Sequence, residues 1–97
     1  MQEVKYIHDD VVHNFNAARE VLPLAMELCK PTSILDVGCG TGTWLKVAQE
    51  LGIQDIQGVD GNYVDRNMLK ISNNHFYPHD LNTPFNLNRK FDLAICL

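Results

Sequence analysis

The sequence predicts an α/β fold built on a parallel sheet, and three observations carry that prediction. An apolar run, Ile34–Val37, leads straight into glycines at positions 38, 40 and 42, and a helical pattern begins immediately afterwards. Further strand-like segments follow at 55–60, 75–79 and 91–97. The resulting order, a helix and then β-α-β-α-β-loop-β, is the alternation from which parallel sheets with right-handed crossovers are built.

Each element has its own signal. Val11, Phe15, Ala18, Leu22, Ala25 and Cys29 recur at three- and four-residue steps, which predicts a helix over 9–29 with one apolar face. Asp9 or Asp10 is placed to cap its start, and Pro23 either kinks the helix or opens a second one. Pro31 marks the exit. Ile34–Val37 is short and apolar, as suits a central parallel strand. Thr41 or Thr43 caps the next helix, whose buried stripe is Trp44, Leu45, Val47, Ala48 and Leu51, with Gly52 as the C-terminal glycine. A second strand is expected at Asp55–Asp60 and a short helix across Val64–Ile71. His75–His79 reads as an edge strand because Pro78 cannot donate to a ladder. After a polar loop at Leu81–Lys90, Phe91–Leu97 forms the fourth strand.

The chain has 97 residues, enough for one small domain, and its 45% hydrophobic content is ordinary for a globular protein. A net charge of −4 gives no reason to expect a basic surface that grips nucleic-acid phosphates, although a local patch can still engage RNA. Cys29, Cys39 and Cys96 are odd in number and lack C-x-x-C spacing, which fits reduced thiols in a cytoplasmic protein. No apolar run approaches the ~20 residues of a membrane span, and the N-terminus lacks the layout of a signal peptide. Phe91–Leu97 is a strand pattern running to the last residue, and the expectation is that these residues are the first part of a longer protein.

The chemistry concentrates at the ends of the strands. Gly38, Gly40 and Gly42 remove three Cβ atoms from one bend, so the backbone can adopt positive φ and lie against a ligand. Amides at the start of the following helix favour a negative group there. Asp60 ends the second strand 22 positions after Gly38. In a βαβ unit an acidic residue about 20 positions beyond the first glycine reaches the ribose of a bound nucleotide. Asp80, followed by Leu81, ends the third strand in the same way; its carboxylate can accept from an adenine amino group while Leu81 packs on the ring. Asp36 is a carboxylate within a central strand, costly unless paired, and placed either to fix the glycine bend or to face an ammonium group.

Together these residues resemble a known family. Ile34-Leu35-Asp36-Val37-Gly38-Cys39-Gly40-Thr41-Gly42 looks like the first motif of the class I S-adenosylmethionine-dependent methyltransferases. Val59-Asp60 is similar to the family's acidic strand end, Asp80-Leu81 to its third motif, and Phe91–Ile95 to its fourth strand. The resemblance implies a Rossmann-like three-layer sandwich, truncated here to about four strands in the order 3-2-1-4. It implies methyl transfer from S-adenosylmethionine, with Gly38, Gly40 and Gly42 lining the methionine portion, Asp36 near its ammonium, Asp60 on the ribose, Gly61 and Asn62 beside the adenosine, and Asp80 with Leu81 at adenine. The acceptor site is expected beyond Leu97, so no catalytic residue is assigned, and this 97-residue segment alone is expected to be inactive.

Other readings compete with this one. A nicotinamide-dependent oxidoreductase would carry G-x-G-x-x-G, whereas this bend is G-x-G-x-G with Thr43 in the third place. Aminopropyl transfer uses the same scaffold. A non-catalytic nucleoside-binding or self-associating module would expose Phe91–Leu97 as an apolar edge and pair through it into a homodimer or higher assembly. No metal is expected: His75 and His79 lie ~13 Å apart on an extended strand, and His8 and His13 read as surface residues of the first helix. Neither Ser33 nor Ser72 lies in a nucleophile-elbow sequence.

Overall fold

The computed structural model describes residues 2–96, with side chains described from Phe15 onward. The sequence expectations at Val11, His8 and His13 therefore lie outside the described side chains, and Leu97 lies outside the described residues. Helix α1 covers Gln2–Cys29, β1 Ser33–Val37, α2 Thr43–Glu50, β2 Asp55–Asp60, β3 Phe76–Pro78 and β4 Leu93–Cys96. The strands form one four-stranded sheet in the order β3-β2-β1-β4. Every pairing is parallel, with Val37 opposite Val59 and Cys96, and Asp60 opposite Pro78. The carboxyl ends of all the strands thus reach the same rim. β1 has β2 on one side and β4 on the other, so the chain reverses its direction of travel across the sheet at β1, which is where open α/β sheets leave a crevice.

α1 and α2 pack together on one face of the sheet. Ala18 and Leu22 of α1 meet Leu45, Val47 and Ala48 of α2 and Ile34 and Ile56 of the sheet, all buried. Alternation sends Leu35, Val37, Ala94 and Cys96 to the opposite face, where the first two are half-buried and the last two exposed. At the amino ends of the strands, Asp92 accepts from the amide and hydroxyl of Thr32, each at 2.8 Å, and its own amide donates to Oγ of Ser33, which sets β4 in register beside β1. Arg89 forks onto Asp55 at 2.9 and 2.7 Å and stacks over Phe91 at 4.0 Å.

Four local expectations are corrected, and of the two alternatives at Pro23 the single helix holds. α1 begins at Gln2 rather than at Asp9 or Asp10, because no helix breaker separates Gln2 from Asp10. Pro23 sits inside one continuous helix, its ring exposed on the solvent side. The N-cap of α2 is Gly42 in a left-handed conformation, with no side-chain cap from Thr41 or Thr43. Leu51 is the C-cap of α2 and is 42% exposed rather than part of the buried stripe. Val64–Ile71 forms only a short 3-10 turn at Arg66–Met68. Asp65 caps the Asn67 amide, Leu69 is extended, and the Lys70 amide donates across to Thr41 O at 2.8 Å. A backbone donor committed to a distant carbonyl is not available to extend a helix. The strand bounds also tighten: β3 loses His75 and His79, and β4 begins at Leu93. No described helix is long and apolar enough to cross a membrane.

Candidate functional site

The glycine bend is locked by its own geometry. Gly38, Gly40 and Gly42 adopt φ of 80°, 57° and 88°, values that side-chain-bearing residues rarely take. The amides of Gly38 and Cys39 both donate to Val59 O, at 2.8 and 3.2 Å, which folds the bend onto the end of β2. Gly42 turns the chain into α2 and is covered by Ile71. With no side-chain cap, the first amides of α2 remain available to an anion.

Asp60 joins this bend to the next loop. Its Oδ2 accepts from the Gly40 amide at 2.8 Å, and its Oδ1 accepts from the Gly61 amide at 2.8 Å and from the Tyr63 hydroxyl. The carboxylate is 3% exposed, and these donors satisfy it. The bend and the acidic strand end, 20 residues apart in sequence from Gly40 to Asp60, are therefore in direct contact.

Asp36 differs. It is also 3% exposed, but no hydrogen bond from a described residue supports its carboxylate. Burial first, and then the charge of nearby Asp60, pushes its pKa up to about 7. The expected role of Asp36 in fixing the bend through backbone amides falls to Asp60 instead. Cys39 lies in the same cluster: burial, then Asp36 and Asp60, push its thiol up to about 12, and its Sγ contacts Gly40 O at 3.4 Å. At neutral pH it is a protonated packing group and not a nucleophile.

A cavity of about 350 Å³ opens next to Asp60, lined by Gly61, Asn62, Tyr63, Asp80, Leu81 and Asn82. This is within the size range of small-molecule sites. Asp80 lies at its edge; one carboxylate oxygen accepts from the Asn82 amide at 2.9 Å and holds the turn. Leu81 reaches back toward the bend, its Cδ1 3.9 Å from where a Cβ on Gly38 would sit. Of the residues singled out in the sequence, Gly61, Asn62, Asp80 and Leu81 line this cavity, and Asp60 ties them to the glycine bend through Gly40; Asp36 lies one residue short of the carboxyl end of β1, and Gly42 is covered by Ile71. Tyr63 and Asn82 were not foreseen. An aromatic residue three places beyond an acidic strand end was the available signal for Tyr63.

His75 and His79 do other work. His75 Nδ1 lies 3.0 Å from Ile56 O, and His79 Nε2 contacts Pro84 O and Thr83 Oγ1 at 3.1 and 2.9 Å. Both brace the edge of the sheet.

Comparison with known proteins adds the following. A family model described as a methyltransferase domain matches residues 12–97. No curated protein matches the sequence. Among solved structures, the chain is similar to the plantazolicin methyltransferase BpumL, crystallised with a monoazolic desmethylPZN analog and SAH, with a TM-score of 0.66 and 22% identity. The match covers 96% of this chain and 39% of that one, so this chain spans well under half of that protein. At this identity the likeness speaks for the fold.

Proposed function

The chain belongs to the methyltransferase domain family, and we propose that the whole protein transfers a methyl group from S-adenosylmethionine to an acceptor held by residues beyond those described. The observation that carries this reading is the 2.8 Å hydrogen bond from the Gly40 amide to Asp60, which puts a glycine bend and a buried carboxylate on one rim. S-adenosylmethionine brings an electrophilic methyl on a sulfonium, with an ammonium, a carboxylate and an adenosine to be held.

The residues present fit that group. Gly38 and Gly40 leave room along the methionine portion, whereas Gly42 is covered by Ile71 and turns the chain into α2, whose uncapped start suits the carboxylate. Asp36, buried with no donor among the described residues, suits its ammonium. Asp60 accepts from the ribose. Gly61 and Asn62 flank the adenosine, and Asp80 with Leu81 bounds the adenine in the adjacent cavity. No acid–base group is required of this segment, because holding acceptor and methyl in line supplies much of the rate. The three free thiols support a reducing compartment such as the cytoplasm.

Equilibrium dialysis of the intact protein with labelled S-adenosylmethionine and, separately, with NAD tests this reading. Retention of the first and not the second is expected. Retention of NAD alone would replace methyl transfer by hydride transfer.

A second reading concerns assembly. β4 is an outer strand of the four, and Ala94 and Cys96 along it are exposed. This supports pairing of two chains through the Phe91–Leu97 edge, which light scattering would register as a dimer; a monodisperse monomer at high concentration would end it.

A further inference from the structure

Tyr63 is 80% exposed, yet its hydroxyl is committed to Oδ1 of the buried Asp60. Its ring lies back over Gly61, where a Cβ would come within 2.5 Å of Cε1. Position 61 therefore has to be glycine for the ring to fold onto the rim. The hydrogen bond to Asp60 also raises the phenol pKa, so Tyr63 remains a donor at neutral pH.

Acceptor capacity at Asp60 is limited. An ionised carboxylate offers roughly four acceptor positions. The amides of Gly40 and Gly61 and the Tyr63 hydroxyl fill three of them, which leaves one. A ribose presents two adjacent hydroxyls and needs two positions to bond both. The two amides belong to the backbone of the rim and stay. Tyr63 is the donor on an exposed side chain that can swing away.

We propose that Tyr63 gates the ribose subsite: its hydroxyl occupies an acceptor position of Asp60 that a vicinal diol requires, and it leaves when a nucleoside with both ribose hydroxyls binds. The gate rests on the cofactor reading above and refines it. Tyr63 lines the cavity together with Leu81, so after release the ring still borders the space beside the base. The competing bond lowers affinity for ligands that carry the full diol. It leaves almost untouched those that offer a single hydroxyl, which fits the position already open.

Isothermal titration of the intact protein and its Tyr63→Phe variant with S-adenosylhomocysteine, and with the 2′-deoxyribose analogue of that compound, tests the gate. Phenylalanine keeps the ring and removes only the competing donor. Tyr63→Phe is expected to bind S-adenosylhomocysteine about tenfold more tightly, because a hydrogen bond to a charged group no longer has to be broken. The deoxy analogue is expected to gain less than about twofold. An equal gain for both ligands, no gain, or a loss would overturn the gate while leaving the cofactor reading in place. Absence of binding by either protein to either ligand would overturn the cofactor reading and the gate with it.

Discussion

Ile71 sits directly on Gly42: a Cβ built at position 42 would lie 2.9 Å from Ile71 Cγ1 and 3.1 Å from its Cδ1. Ile71 is buried, and φ at Gly42 is 88°, so a side chain there meets both strain and collision. Gly42→Ala is expected to destabilise the fold by about 2–4 kcal/mol, combining left-handed strain with overpacking. Ile71→Val in the same background relieves part of the collision and none of the strain, so it should recover a fraction of the loss. Urea denaturation of the single and double variants measures both. A Gly42→Ala variant of unchanged stability would contradict the geometry of the bend.

The described side chains of α1 are not equivalent in how they attach the helix. Leu22 is 1% exposed in the shared core, whereas Leu28 is 85% exposed. Leu22→Ala should cost about 2–5 kcal/mol and Leu28→Ala less than about 0.5 kcal/mol. Equal effects in thermal denaturation would mean that α1 does not dock as described.

Asp36 gives the protein a pH signature. Its proton is held up to about pH 7 in the folded protein, whereas the unfolded chain releases it near pH 4. Between these values the native state binds more protons, so this group makes stability fall as pH rises through that window. Asp36→Asn should flatten the decline and leave the protein more stable near pH 8, which melting temperatures across pH would register. A cation bound beside Asp36 favours its ionised form. S-adenosylmethionine binding near pH 7 should therefore release protons, visible as a buffer-dependent enthalpy in wild type and absent in Asp36→Asn. The opposite slope of stability with pH would contradict the burial of this carboxylate.

Much of the sheet was legible because its strands carry local signals. Ile34–Val37 is apolar and runs into glycines that only a bend can use, and Asp55–Asp60 ends on an acidic residue at the matching distance. What escaped the sequence was decided by contacts between distant residues. Val64–Ile71 looks helical in isolation, but its Lys70 amide is drawn to Thr41 O, and Ile71 is needed over Gly42. Asp36 and Asp60 look alike as strand carboxylates. Asp60 receives the Gly40 and Gly61 amides and Asp36 receives none from the described residues, a difference set by where the bend folds rather than by residue type. Tyr63 became visible only once Gly61 had brought its ring back to Asp60.

The central claim is that the glycine bend and Asp60 together form the seat of an adenosine joined to an amino acid. Isothermal titration of the intact protein and of Asp60→Ala with S-adenosylhomocysteine tests it most directly. Measurable binding is expected in wild type, with a loss of roughly 1–3 kcal/mol, or about five- to 150-fold, in the variant. Equal affinity in the two proteins would contradict it.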